Sequence, residues 1–166
     1  MVFVGTYDHT IDAKNRLAIP SEVRGMLQRS LGIGGDDPIR LYVIYGAPKA
    51  LYLYTEEGFA QRAAELDNSP MQRSQLLEWE RLMFSLAQQV EIDKAGRVRL
   101  PEAMLKRAGL SGDVVLLGVK DHMEVRDRQT WHEHVEAVLA ASPGVLMDPR
   151  LAMAPGGGGG PGTVGG

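Results

Sequence analysis

Residues 11–20 read IDAKNRLAIP, and residues 92–101 read IDKAGRVRLP. The two stretches align without a gap at an offset of 81, matching Ile11/Ile92, Asp12/Asp93, Arg16/Arg97, Leu17/Val98, Ile19/Leu100 and Pro20/Pro101. Further along, the correspondence resumes at an offset of 72. There Leu51-Tyr52-Leu53-Tyr54 faces Met123-Glu124-Val125-Arg126, and Phe59 faces Trp131. The second copy is therefore shorter by nine residues, lost in its middle. Self-similarity at a fixed separation marks a repeated structural unit, so the chain is read as two tandem copies.

Each copy has the same expected order of elements. A short strand (residues 3–7; 87–92) leads into a turn at 13–15 or 94–96. A second strand follows with apolar residues on alternate positions, so Leu17 and Ile19, or Val98 and Leu100, point inward. Arg16 and Ala18, or Arg97 and Arg99, then point outward. Pro20 and Pro101 end these strands and open short helices over 21–28 and 102–107. β-rich runs come next, at 39–45 and 51–54, then at 114–119 and 123–125. Helices over 56–66 and 129–141 close the copies, with Thr55 and Asp127 as N-caps. A linking helix over 71–86, capped by Ser69 and opened by Pro70, carries an apolar stripe that includes Trp79 and Met83. Core packing is the expected role of those two residues, and a subunit contact is the alternative.

The organisation that follows is a first repeat over 1–68, a linking helix over 69–86, a second repeat over 87–142 and a Gly/Pro-rich tail over 143–166. The tail holds eight of the chain's 20 glycines in its last twelve residues and nothing with which to form a core. A half of roughly 70–80 residues with few aromatics has a thin core of its own. Interleaving the two halves solves that problem. The predicted fold class is mainly β with helices (α+β), a small barrel with pseudo-two-fold symmetry.

Composition narrows the function. The 166 residues are 44% apolar and 23% charged, and 18 Lys+Arg against 21 Asp+Glu leave a net charge of −3. A globally basic nucleic-acid coat is excluded, so any anion contact needs a local patch. Cysteine is absent, which removes disulfides, thiolate metal sites and cysteine nucleophiles. No apolar run is long enough for a membrane span and no secretory leader is apparent, so a cytoplasmic protein is expected. His132-x-His134 on a helix points its rings apart, and no carboxylate completes a metal-ligand spacing. His9, just before the first turn, could equally touch a nucleic acid or cap the turn. Asp36-Asp37-Pro38 reads as a loop. No nucleophile elbow, phosphate loop or metalloprotease motif is present. Neither an enzyme, nor a metal, nor a cofactor is expected.

The feature left to explain is Asp-x-x-x-Arg, used twice. An aspartate at the end of one strand can accept backbone N–H bonds across the turn and pair with the arginine that starts the next strand. Such a clasp accounts for Asp12 and Asp93 without any binding role. Three details point further. The turns carry additional cations: Lys14 beside Arg16, and Lys94 with Arg97 and Arg99. Residues 91–107 hold five Lys/Arg against three Asp/Glu in a chain with an overall acid excess. The strand alternation also leaves the basic residues facing out. A phosphate backbone is a repeated anion, and linked weak contacts to it reinforce one another. The arginine fork can also reach guanine O6 and N7.

GTYDHTIDAKNRLAIP resembles the N-terminal signature of the MraZ family, and IDKAGRVRLP resembles that family's second copy. The likeness spans about residues 1–142. A single copy would point only to the wider AbrB/SpoVT-like class. The resemblance implies an AbrB-like swapped-hairpin or double-psi-type barrel built from tandem repeats, assembled into a closed homo-oligomeric ring. It also implies a bacterial, nucleoid-associated transcriptional regulator that binds double-stranded DNA at repeated promoter elements of the division and cell-wall gene cluster. Carried over residue by residue, it gives the DNA-contact role to Arg16 and Arg97, with Lys14 and Lys94 flanking. Asp12 and Asp93 become the clasps. The first turn departs from the family pattern, with Asn15 where glycine is usual. Asparagine is the next-best residue for positive φ, so the turn should survive and its amide becomes a candidate contact. Arg99, where an apolar or small residue would fit equally well, either strengthens the second loop or is merely solvated. The alternative function is a ring-forming scaffold or a toxin-neutralising, protein-binding module.

Overall fold

The computed structural model describes residues 1–35, 37–46, 48–66, 70–148 and 150. Asp36, the Ser69 cap and the glycine-rich stretch from 151 onward lie outside the described residues. The chain divides into two compact units, Met1–Gln129 and Thr130–Gly166.

The first unit is an eight-stranded sheet, with every strand pairing among the described residues antiparallel. Its strands are β1 (Thr6–Thr10), β2 (Arg16–Ala18), β3 (Ile39–Tyr45), β4 (Ala50–Tyr54), β5 (Gln88–Ile92), β6 (Arg97–Arg99), β7 (Asp113–Val119) and β8 (His122–Asp127). Their order is β1-β7-β8-β4-β3-β5-β6-β2. The two edge strands, β1 and β2, are joined by the first turn and lie side by side, so the sheet forms a nearly closed barrel. The helices are α1 (Ser21–Leu31), α2 (Glu56–Leu66), α3 (Arg73–Leu86), α4 (Glu102–Ala108) and α5 (Arg128–Ala141).

Four of the seven pairings join one repeat to the other: β1 with β7, β3 with β5, β2 with β6 and β4 with β8. The expected interleaving is therefore the architecture itself. A pseudo-two-fold operation exchanges β1 with β5, β2 with β6, β3 with β7 and β4 with β8. The pairs β2·β6 and β4·β8 map onto themselves and mark the two poles of the axis. At one pole Leu17 stands opposite Val98, its own repeat equivalent. At the other Tyr52 stands opposite Glu124, again its own equivalent. At the seam the symmetry lapses. Ile92 pairs with Val98 between β5 and β6, whereas β1 and β2 have no such ladder.

One core fills the barrel, formed by inward residues from both repeats, among them Leu17, Val43, Leu51, Leu53, Val98, Val114 and Val125, all wholly buried. Glycine in the left-handed conformation ends α1 at Gly32 and α4 at Gly109. Thr55 caps α2, its hydroxyl accepting the Gly58 N–H at 3.1 Å.

Three sequence expectations are corrected. The first strand runs over Thr6–Thr10 rather than 3–7, because Gly5 turns the chain at φ 102° and leaves buried Phe3 in an isolated bridge to Lys120. The linking helix begins at Arg73 with Gln72 as its N-cap, so Pro70 lies before the helix rather than at its first position. No residue of α3 is buried, so Trp79 and Met83 are not core residues. This helix lies against the outside of the sheet at β3 and contributes only one flank. In the second unit, α5 continues into hydrogen-bonded turns over 142–148, and the Trp131 and His134 rings lie 5.8 Å apart.

Candidate nucleic-acid interface

Both Asp-x-x-x-Arg turns fold in the same way. In the first, the Asp12 N–H donates to the Arg16 carbonyl at 3.0 Å, and the Asn15 N–H donates to the Asp12 carbonyl at 2.9 Å. In the second, Asp93 and Arg97 make the same bond at 2.7 Å, and Gly96 donates to the Asp93 carbonyl at 2.8 Å. Closing so tight a turn requires positive φ at its last position. Asn15 adopts 59° and Gly96 adopts 78°, so asparagine does support the turn.

The aspartates clasp these turns with both carboxylate oxygens. Asp12 Oδ1 accepts the backbone N–H groups of Lys14 and Arg16 at 2.9 Å each, while Oδ2 accepts Arg16 Nε at 2.8 Å. Asp93 Oδ1 accepts the Arg97 N–H at 2.9 Å, and Oδ2 accepts Arg97 Nε and Nη2 at 3.2 Å each. The backbone bond from the arginine, joined by its guanidinium, holds each carboxyl below the usual aspartate range. Each arginine is thus gripped along one edge of its guanidinium and keeps a specified orientation. Both remain partly exposed, with 28% of the Arg16 side chain and 36% of the Arg97 side chain open. Lys14, Lys94 and Arg99 are exposed, and Asn15 is half-buried.

The β2·β6 pole sets the spacing between the turns. The Leu100 N–H donates to the Asn15 carbonyl at 2.8 Å, and the Ile19 N–H donates to the Gly96 carbonyl at 2.9 Å. Each repeat's turn is therefore tied to the end of the other repeat's strand. Four residues separate Asn15 from Ile19, so the two turns sit about 13 Å apart along the ladder.

Antiparallel pairing moves one expected residue. Arg16 faces Arg99, while Arg97 faces Ala18. Arg99 consequently belongs to the first turn rather than the second, and it borders a hollow of about 320 Å³ with Asn15, Gln88 and Glu102. Its charge helps to lower the Glu102 carboxyl, after the larger effect of Lys106.

The second turn gains a residue that the sequence reading missed. The Arg24 guanidinium lies on the backbone of Gly96, where an added Cβ would meet Nη1 at 1.6 Å. Among the described residues no carboxylate pairs with it. Ile19 delivers the chain to Gly96, Pro20 starts α1, and Arg24 falls one helical turn later over the glycine. The repeat equivalent of Arg24 is Leu105, which is buried. Only the crossed hydrogen bonding reveals this placement, since the linear sequence sets Arg24 beside the first turn. Arg24 and Lys94 also line a cleft of about 610 Å³ with Ser21, Gln28 and Asp93.

Each turn therefore presents three cations, Lys14, Arg16 and Arg99 at one and Lys94, Arg97 and Arg24 at the other. His9 sits within β1, opposite Val114, one residue short of the strand end. Among the described residues, no group of three or more His, Asp or Glu side chains is placed to hold a metal ion. No described helix is long and apolar enough to cross a membrane.

Two repeats, each with one such turn, are also what a family comparison finds. The family model described as "MraZ protein, putative antitoxin-like" matches residues 2–77 and 83–143. The chain belongs to the MraZ family. The two matched segments each contain one complete Asp-x-x-x-Arg turn, so the MraZ pattern follows the internal repeat. The half-exposed apolar face of α3 falls partly within each segment.

Proposed function

We propose that this chain is a sequence-specific DNA-binding transcriptional regulator of the bacterial division and cell-wall gene cluster. In this reading it acts in the cytoplasm at the nucleoid, as a closed homo-oligomeric ring that binds repeated promoter elements. Two basic turns per subunit make the contacts. Arg16, Arg97, Lys14 and Lys94 meet the phosphate backbone or guanine edges. Asn15, Arg99 and Arg24 complete the two turns. Asp12 and Asp93 hold the arginines in orientation and touch no DNA. The reading assigns the chain no catalytic role, cofactor, small-molecule substrate or membrane contact.

The observation that carries this reading is the identical, clasped geometry of two outward cationic turns fixed at one barrel pole. A rigid pair can meet two phosphates or bases without first being ordered, which reduces the entropic cost of each contact. Self-assembly is supported by Leu77, Leu82, Phe84 and Leu86, which are 37–54% exposed on α3. A ring would then multiply the turns along a DNA repeat.

The test is a fluorescence titration of the full chain against a duplex from upstream of its own gene, at two salt concentrations. A slope of log affinity against log salt equal to several phosphates is expected. Arg16→Ala with Arg97→Ala should abolish specific binding while the thermal unfolding curve stays in place. A folded double variant that binds as the parent does would overturn the reading. Capture of a single toxin protein, without DNA affinity at low salt, would favour the protein-binding alternative.

A further inference from the structure

The barrel pole opposite the two turns holds a cluster of ionisable groups that DNA contact does not use. His122, at the start of β8, has both ring nitrogens engaged. Its Nδ1 lies 3.0 Å from Asp121 Oδ1, and its Nε2 lies 3.2 Å from Glu124 Oε1. Arg126 Nε donates to Glu124 Oε2 at 2.5 Å. Glu124 is only 7% exposed, one of two buried polar or charged side chains among the described residues. The imidazole is flanked by Tyr52 and Tyr54 of β4, at ring separations of 4.6 and 4.8 Å.

Carboxylates have only acceptors to offer, so both bonds form together only when both ring nitrogens carry a proton. A neutral ring would leave one carboxylate facing a lone pair. Tyrosine faces also suit a cation. The groups around the ring divide by sign. Asp121 and Glu124 favour the charged ring. Arg126, on β8, helps to lower Glu124, and Lys120, in the β7–β8 turn, helps to lower Asp121. From α2, Arg62 acts on the Tyr54 hydroxyl, and the β7 positions opposite His122 and Glu124 are Val119 and Leu117. Burial pushes the ring towards neutrality, but the Glu124 and Asp121 bonds outweigh it and raise the imidazole above its ordinary value.

The cluster also ties separate parts of the fold together. Asp121 and His122 belong to the second repeat, whereas Tyr52 and Tyr54 belong to the first. The backbone carbonyl of Asp121 lies against Gly58 in the first turn of α2. Tyr54 packs on Phe59 of α2, which in turn meets Phe84 of α3 at 5.4 Å. We propose that His122 is a proton-dependent latch, whose cationic ring fastens the second repeat's β7–β8 hairpin to β4 and α2 of the first. Loss of the proton removes one ring bond, to Asp121 or to Glu124, and loosens the seating of α2 and α3 on the sheet.

The sign follows from linkage. The raised imidazole adds stability that is complete below its unfolded value near 6.5 and is lost as pH rises through the folded value. Between those two values the folding constant falls by at most about tenfold per pH unit. The test uses the full chain. The ring resonances of His122 are followed by NMR from pH 5 to 9, and urea unfolding is measured at pH 6, 7, 8 and 9 for the parent and for His122→Phe. The expected result is a midpoint above 6.5 with both ring nitrogens protonated at pH 6.5. The parent should also lose stability above neutrality in excess of the loss in His122→Phe. Glu124→Gln should lower the midpoint, and Asp121→Asn, at an exposed carboxylate, gives the same direction should Glu124→Gln fail to fold. A parent midpoint at or below 6.5, or equal pH dependence in the parent and His122→Phe, overturns the latch.

Discussion

The two poles of the pseudo-two-fold axis treat the internal repeat in opposite ways. At β2·β6 the copies stay alike: each contributes an aspartate, an arginine, a tight turn and an inward branched residue. At β4·β8 they differ, LYLY in one copy and MEVR in the other. Repetition survives where two surfaces face outward and do the same work. It disappears at the other pole, where the equivalents that meet on the axis are Tyr52 and Glu124 rather than two aliphatic residues. Two glutamates opposite one another at Tyr52 and Glu124 would repel, and two tyrosines would leave His122 Nε2 without its carboxylate. A tandem chain can place different residues at the two halves of one contact, and this one does so most fully at β4·β8.

The largest effect should come from the outward pole. Arg16→Ala with Arg97→Ala should lower DNA affinity by about a thousandfold, on the order of 2 kcal/mol for each arginine, read by fluorescence anisotropy. Roughly equal losses in the two single variants would show that both turns bind, whereas loss confined to one would break their equivalence. Next is the core beneath the turns. Leu17→Ala removes a wholly buried side chain beside Val98 and should cost about 3 kcal/mol in urea unfolding. At the opposite pole, Glu124→Ala leaves Arg126 and His122 without their shared partner and should cost about 2 kcal/mol. Gly96→Asn keeps positive φ but occupies the place of the Arg24 guanidinium. It should change stability by less than about 1 kcal/mol while weakening DNA binding several-fold, making the second turn like the first.

The smallest effect concerns acid. Asp12 and Asp93 sit below the ordinary aspartate value, so their contribution is complete above the unfolded value and is lost as pH falls through the folded one. Carboxyl carbon shifts followed by NMR should show both groups titrating below the ordinary aspartate value. Titration at the ordinary value would mean that the clasps open in solution.

Much of this architecture could be read from periodicity and punctuation. The strand Ile39–Tyr45 and the helix Glu56–Leu66 have the expected bounds, because alternation and the Thr55 cap are local signals. The alternation around Leu17 and Val98 likewise gave the buried and exposed faces correctly. What escaped depends on pairing across the repeats. Adjacency in sequence sets Arg99 beside the second turn, whereas the antiparallel ladder sets it opposite Arg16. Arg24 went unnoticed because its partner, Gly96, is 72 residues away. The apolar stripe of α3 has the periodicity of a core helix, yet that pattern cannot distinguish burial within a chain from a face left for another surface.

The crossed strands also constrain synthesis. A ribosome releases the first repeat before the partners of β1 and β2, and one partner each of β3 and β4, exist, so a half-made chain carries open sheet edges and uncovered valines and leucines. Its nearest substitute partner is another half-made copy, which offers the same strands in the same order. Polysomes translating this message therefore bring together segments able to pair in trans.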